Sequence, residues 1–279
     1  LPFQRLELII VDEEHDPSYK QQDPAPRYNA RDMAVVLADI CGARVVLGSA
    51  TPSMESAHNA RQGKYGWVRL DERFGRSVLP SVRMLDLREA YKRKRMQGHF
   101  APELLEAIDR TVKRKDQVIL FQNRRGFSSY MQCLKCGELI KCANCDISMY
   151  YHRDREEMNC HYCGNAYPSP RKCPSCGSYT FSYGSPGTQK VEQLLRIVFP
   201  QARVLRLDSD SARRQDSYKT MYRRMKDRDV DILLGTQMIS KGLDFPAVTL
   251  VGIINADISL NVPDFRSAER TFQLCTQVA

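Results

Sequence analysis

Eight of the ten cysteines in this chain fall in four pairs, each with two residues between its members: Cys133/Cys136, Cys142/Cys145, Cys160/Cys163 and Cys173/Cys176. That spacing lets a tight turn aim both sulfurs at one ion, and two such turns complete a tetrahedral S4 site for Zn2+. Four pairs make two sites, and the turns can be combined two by two in three ways. Fourteen residues lie between Cys145 and Cys160, a length suited to a hairpin that returns the second turn to the first. The spacing therefore favours nesting. An outer site would use Cys133, Cys136, Cys173 and Cys176, and an inner site Cys142, Cys145, Cys160 and Cys163. All-cysteine sites leave no open position for water, so both zincs are expected to be structural, holding about 50 residues that are too few and too polar to build a core. A disulfide framework is the competing reading. His152 and His161 are potential ligands, but no cysteine is missing for them to replace. Cys41 and Cys275 lie in helix-like sequence and read as small buried hydrophobes.

A second cluster is acidic. The run LIIVDEEHD places Asp12, Glu13, Glu14 and His15 where an apolar strand ends. An aspartate there can bind Mg2+ on nucleotide phosphates, and the next glutamate can orient or deprotonate the attacking water. The segment GSATPS (48–53) puts Ser49 and Thr51 at the end of another apolar run, and Pro52 suits a first helical turn. Either segment alone is a weak signal, because strand ends often turn polar.

The elements that must position these groups alternate. The runs LELIIV, ARVVLGSAT, QVILFQN, ARVLRLD, VDILLGTQ and VTLVGIIN read as buried parallel strands. ARDMAVVLADIC, PELLEAIDRTVKRK, TQKVEQLLRIVF, ARRQDSYKTMYRRMKD and RSAERTFQLCTQVA read as crossover helices. The pattern is α/β, in two doubly wound parallel sheets with a break near residues 72 to 100. Four strands end in polar clusters (DEEH, GSATPS, NRRG, TQMISKG), and ligands of open α/β sheets collect beyond the carboxyl ends of strands. A net charge of +9 favours a polyanionic partner such as nucleic acid. No run approaches the roughly 18 apolar residues of a membrane span, so no membrane partner is expected.

Together and in this order, DEEH and GSATPS resemble motifs II and III of superfamily 2 helicases. VILFQNRRGF (118–127) is similar to motif IV and ILLGTQMISKGLDFP (232–246) to motif V. Cysteine pairs inserted straight after NRRGF, with DFRSAERTFQLCTQVA at the end, narrow the resemblance to the primosomal, replication-restart branch of that superfamily, across nearly the whole chain. It implies two RecA-like lobes with a small two-zinc cysteine-rich module inserted in the second. Residues 1–72 would be the end of a first, incomplete lobe, 73–100 a linker and 101–131 the start of lobe two. Residues 132–180 would be the zinc module and 181–279 the rest of lobe two.

The implied activity is ATP-dependent unwinding of DNA in the 3′ to 5′ direction at stalled or collapsed forks, with primosome assembly, in the bacterial cytoplasm near the nucleoid. Implied partners are single-stranded and forked DNA, primosome proteins and single-stranded DNA-binding protein; cofactors are two Zn2+, ATP and Mg2+. By position, Asp12 and Glu13 would serve Mg2+ and water, and Glu14, His15, Ser49 and Thr51 would couple hydrolysis to DNA. Tyr19, Lys20, Tyr28, Arg31, Arg124, Arg125, Thr236, Gln237 and Lys241 would contact DNA, and Gly242 and Asp244 the nucleotide. Tyr19, Lys20, Tyr28 and Arg31 lie in DPSYKQQDPAPRYNARD (16–32), which the resemblance implies is a loop that senses single-stranded DNA, where aromatic faces stack on bases and cations meet phosphates. The alternative is a zinc-containing adaptor that binds nucleic acid and partners without ATP turnover.

The chain departs from the pattern in one respect: no G-x-x-x-x-G-K-[ST] phosphate cradle occurs. GSPGTQK (184–190) lacks the Gly-Lys-Ser/Thr ending and reads as the start of the next helix. The resemblance places the cradle upstream of DEEH and arginine-bearing motif VI just after Ala279. Such an arginine contributes about 10³- to 10⁵-fold in rate. The chain is thus expected to be an internal piece of a longer enzyme, inert toward ATP as written.

Overall fold

The computed structural model describes residues 5–72, 80–122, 130–152, 154–183, 187–207, 217–236, 245–262 and 264–278. It divides into two compact units, Leu1–Leu79 and Pro80–Ala279.

In the first unit, strands β1 (Leu8–Val11) and β2 (Arg44–Leu47) pair in parallel, Leu8 opposite Arg44 and Val11 opposite Leu47. Helix α1 (Ala30–Cys41) is the crossover between them. Asn29 caps it by accepting from the Arg31 N–H, and Gly42 ends it at φ 65°, the left-handed conformation that costs glycine least. A short 3-10 turn (Pro17–Tyr19) follows β1, and α2 (Met54–Arg61) follows β2 with Ser53 as its cap. Contrary to the expectation from their apolar runs, β1 and β2 are not buried on both faces: Leu8, Ile10 and Val46 are 50%, 68% and 52% exposed, whereas Val11 is buried. Side chains alternate across a strand, so one face of this two-stranded sheet is covered and the other is open among the described residues.

The second unit holds a four-stranded parallel sheet in the order β11-β3-β10-β9, from β3 (Gln117–Phe121), β9 (Val204–Leu207), β10 (Ile232–Gly235) and β11 (Val248–Ile253). It is covered on both faces, and the alternation within each strand shows how. Val118, Leu120, Ile232 and Leu234 face a core shared with α4 (Pro102–Lys113) and α5 (Thr188–Val198). Ile119, Phe121 and Leu233 face a second core with α6 (Ser217–Lys226) and α8 (Ser267–Val278). Buried Gln117 closes the start of β3 by donating to the carbonyls of Met225 (3.0 Å) and Val230 (2.7 Å). The stretch read as a linker is partly regular: α3 (Leu87–Lys92) lies within it, and Phe100 at its end is fully buried.

The cysteine-rich insertion interrupts the chain between β3 and α5. Its two ends meet, because β4 (Met131–Cys133) and β8 (Phe181–Tyr183) pair antiparallel, Met131 opposite Tyr183. Between them β5 (Tyr150–His152), β6 (Glu157–Asn159) and β7 (Ala166–Pro168) form a three-stranded meander. Juxtaposed ends let the insertion leave the main sheet unbroken. The module also has a small core that its polarity hid: Met131, Ile140, Met149 and Met158 bury themselves around Cys142 and Cys160.

Candidate metal centres and the acidic strand end

The eight paired cysteines gather in two groups of four, Cys133/Cys136/Cys173/Cys176 and Cys142/Cys145/Cys160/Cys163, with the sulfurs of each group within 4.8 Å of one another. This is the nested pairing. Sγ–Sγ separations are 3.6 Å for Cys133–Cys176, 3.6 Å for Cys136–Cys173 and 3.7 Å for Cys142–Cys163. A tetrahedron with Zn–S bonds of about 2.3 Å has edges of about 3.8 Å, whereas a disulfide brings sulfurs to about 2.05 Å. The geometry fits a four-coordinate ion and no disulfide.

Each turn is built the same way. The residue after the second cysteine donates its N–H to the carbonyl of the first: Gly137 to Cys133 (2.8 Å), Asp146 to Cys142 (2.9 Å), Gly164 to Cys160 (2.9 Å) and Gly177 to Cys173 (2.9 Å). All four sit at positive φ, 80°, 52°, 77° and 69°. Glycine reaches that region freely and aspartate at modest cost, so three glycines and one aspartate at this place are part of the metal turn. The reading by cysteine spacing missed them, although C-x-x-C-[G/D] repeats four times in the sequence.

The thiols behave as crowded acids do. Burial pushes Cys133 up, but N–H donation from Cys136 and Lys135 and its neighbouring thiols bring it down to about 7, while Cys136 in the same group is pushed up to about 12. In the inner group the Cys163 N–H leads in lowering Cys160 to about 7, and the thiols of Cys163, Cys160 and Cys142 help push Cys145 up to about 12. Four thiolates this close cannot all ionise unless a cation joins them. The donor set fits Zn2+ and leaves no open position, so the ion's role is structural. His161 is no ligand; its ring stacks on Tyr150 at 4.0 Å. Cys41 is exposed and Cys275 half-buried, which corrects their reading as buried hydrophobes.

At the acidic strand end, Asp12 and Glu13 are exposed just beyond β1. Glu13 is held at φ 49°, a conformation that costs a non-glycine residue about 1 to 2 kcal/mol and marks functional turns. The ends of β1 and β2 are stitched together: Glu14 N–H donates to the Gly48 carbonyl (3.0 Å) and Gly48 N–H to that of Val11 (2.9 Å). His15, its side chain 4% exposed, has Nδ1 2.7 Å from Ser49 Oγ and 3.4 Å from Glu13 Oε2. Ser49 Oγ also accepts from the N–H of buried Thr51 (3.0 Å). The structure thus brings Glu13, His15, Ser49 and Thr51 into one connected group.

Glu14 turns the other way and is buried. Its Oε1 accepts from the Ser53 N–H (2.6 Å), and its Oε2 from Ser53 Oγ (2.9 Å), Ser56 Oγ (2.9 Å) and Arg31 Nη1 (3.0 Å). Arg31 also holds Asp32 at 2.7 Å. Burial alone would lower its pKa, but Asp32 and Glu14 more than offset that. Arg31, expected at the DNA, instead has a side chain 8% exposed and tied to a buried carboxylate. Ser53 and Ser56 were missed; the signal was a serine cap with a second serine three residues on. Of the loop residues, Tyr19 donates its hydroxyl to the Asp12 carbonyl (2.7 Å), Lys20 Nζ donates to the Arg27 carbonyl, and Tyr28 is 44% exposed. Thr236 is half-buried just after β10. Arg124, Arg125, Gln237, Lys241, Gly242 and Asp244 lie outside the described residues.

Similarity to known proteins divides along the same lines. Residues 142–168, which hold the whole inner cysteine group, match the PriA DNA helicase Cys-rich region domain, and residues 182–275 match the helicase conserved C-terminal domain. Two segments of the chain are thus similar to a helicase C-terminal domain and, before it, to the cysteine-rich region of a DNA helicase. End to end it is similar to proteins named replication restart protein PriA, in line with the branch that the motif order resembles. It is 46% identical to that of Bacillus subtilis over 278 residues, 42% to that of Chlamydia pneumoniae and 41% to that of Haemophilus influenzae. These matches cover 100%, 100% and 99% of this chain but 34%, 37% and 37% of the relatives, so the chain spans about a third of their length. Among solved structures the Hef helicase domain of Pyrococcus furiosus matches at 15% identity and a TM-score of 0.31, covering 68% of this chain and 25% of that one. None of the described helices is long and apolar enough to cross a membrane.

Proposed function

We propose that this chain is the central part of an ATP-dependent DNA helicase that moves 3′ to 5′ and restarts replication at stalled or collapsed bacterial forks. Its two units would belong to two RecA-like lobes, the first incomplete here. Asp12 would hold Mg2+ on the nucleotide and Glu13 would orient or deprotonate the attacking water. His15, Ser49 and Thr51 would relay the state of that site toward DNA, with Glu14 as their brace. Thr236 would meet the DNA backbone with Gln237, Lys241, Arg124 and Arg125, while Gly242 and Asp244 would face the nucleotide. Tyr19, Lys20 and Tyr28 would contact single-stranded DNA, and the zinc module would serve strand displacement and contacts with primosome proteins and single-stranded DNA-binding protein.

The observation that carries this reading is the pairing of a helicase C-terminal domain and its cysteine-rich module with exposed Asp12 and Glu13 beside the His15–Ser49 contact. The test uses a full-length protein that contains this chain. Asp12→Asn and Glu13→Gln should each lower DNA-stimulated ATP hydrolysis and unwinding by at least about 100-fold, a general-base contribution, while DNA binding persists. Turnover at the unsubstituted rate in both variants overturns the assignment.

A further inference from the structure

The outer zinc turn does not stand alone. A methyl group added at Gly137, the residue after Cys136, would come within 3.2 Å of Arg88 Cδ and 3.7 Å of its Cγ. The stem of Arg88 therefore lies against the backbone of the outer turn. Its guanidinium is aimed by Asp86, which accepts from Nη2 (2.8 Å) and Nε (3.0 Å) and whose other contact caps α3 through the Arg88 N–H (2.9 Å). Four thiolates around one Zn2+ leave a net dianion, and a nearby cation offsets it. The Arg88 guanidinium is held above its ordinary pKa first by Asp86, with smaller contributions in the same direction from Asp257, the first residue of α7 (Asp257–Leu260), and from Cys136.

We propose that Arg88 is a positioning residue for the outer zinc site: its cation stabilises the tetrathiolate, and its stem ties helix α3 to the Cys133–Gly137 turn. The inner site has no such contact from α3 among the described residues. Helix α3 lies in the segment between the first unit and α4, so retention of the outer metal and order in that segment rise and fall together. Conversely, loss of the outer zinc removes the dianion that Arg88 faces and loosens α3. Groups just outside a ligand shell commonly change metal affinity by 10- to 100-fold. Arg88 is 60% exposed, which puts its effect at the low end, about tenfold.

This inference rests on zinc occupying the cysteine groups, so the metal content of the unsubstituted full chain is measured first. Two zincs per chain keep the premise; none sinks the metal reading itself, whatever Arg88 does. Zinc-loaded full chains with Arg88→Met, Arg88→Lys and, as control, Lys92→Met are then challenged with chelator and pulse-alkylated, and each cysteine is read by mass spectrometry. Arg88→Met keeps the stem and loses the charge. It should speed alkylation of Cys133, Cys136, Cys173 and Cys176 about tenfold, leave the inner four unchanged and raise hydrogen exchange over residues 86–92. Arg88→Lys should restore most of the protection and Lys92→Met should change nothing. Equal alkylation of the outer group in Arg88→Met and the unsubstituted chain overturns the proposal, as does equal acceleration at both groups.

Discussion

The buried carboxylate of Glu14 gives the sharpest prediction. Glu14→Gln keeps the shape and one carbonyl acceptor but turns an NH2 group toward donors. Four donors converge on the two oxygens at 2.6 to 3.0 Å, one of them the guanidinium of Arg31. Removing one partner of a buried ion pair costs about 3 to 5 kcal/mol, because the other charge stays buried. Arg31 retains Asp32 and the amide retains one acceptor, which lowers the expected cost to about 2 to 3 kcal/mol. At 1.4 kcal/mol per tenfold, opening of this region becomes about 30- to 150-fold more frequent. Because the chain has two units, a single melting curve would blur the effect, and hydrogen exchange resolved to peptides is the suitable assay. Amides around residues 12–17 and 49–61 should exchange faster by that factor, while those of β3 and β10 should not change. The double substitution Glu14→Met with Arg31→Met should recover much of the loss, since replacing both partners can be nearly neutral. Acceleration below about tenfold in Glu14→Gln would refute the brace and return Glu14 to a coupling role alone.

Cys142→Ser and Cys133→Ser should each lower bound zinc by one ion per chain, from different groups, as read by elemental analysis; loss of both ions from either variant would contradict two independent sites. Gly164 sits at φ 77° with nothing within 4 Å of an added methyl group, so Gly164→Val should increase chelator sensitivity through backbone strain of about 1 to 2 kcal/mol. Gly164→Asn, patterned on Asp146, should do less harm, and equal behaviour of the two would remove the strain argument. The Asp231 carboxyl is held below its ordinary value of 3.8, first by side-chain donation from Arg203 and against burial. The folded state then binds fewer protons than the unfolded one, so this pair stabilises fully above pH 3.8 and its contribution fades as pH falls through the lowered value. Arg203 is half exposed, which limits the contribution to about 1 kcal/mol; hydrogen exchange over β9 and β10 in Asp231→Asn should converge with that of the unsubstituted chain below that pH, and a difference that stays constant with pH would count against it.

Periodicity and thiolate spacing were legible because each reports a single dominant force. Val118 to Phe121 are apolar at every position since both faces of β3 are covered, and Pro102–Lys113 repeats its apolar residues at helical spacing since only one face is. The same logic failed at β1, where Leu8 and Ile10 have the residue types of a doubly covered strand yet face outward. Hydrophobicity states what a side chain tolerates, and what covers it is decided elsewhere. The metal groups were legible down to their pairing because a tetrahedral ion admits few arrangements of four short turns.

Charge was the least legible quantity. Arg31 lies in a loop-and-helix segment with Tyr19, Lys20 and Tyr28, which reads as a nucleic-acid surface, but its direction is fixed by Glu14, 17 residues earlier, and Ser53, 22 residues later. Arg88 carries no signal of its own in the sequence, yet its stem lies against a glycine that the zinc turn places beside it. In both cases a cation is held by partners distant in sequence, so neither composition nor local spacing could assign it. The basic residues of this chain therefore divide into two kinds, those committed to anions within the fold and those left for a polyanion. Only the second kind should contribute to the salt dependence of the proposed DNA binding, which steepens with the number of phosphates neutralised. On that count Lys20→Ala should flatten the slope of log affinity against log salt, whereas Arg31→Met should leave the slope unchanged while weakening the fold; a shallower slope for Arg31→Met would return it to the DNA surface.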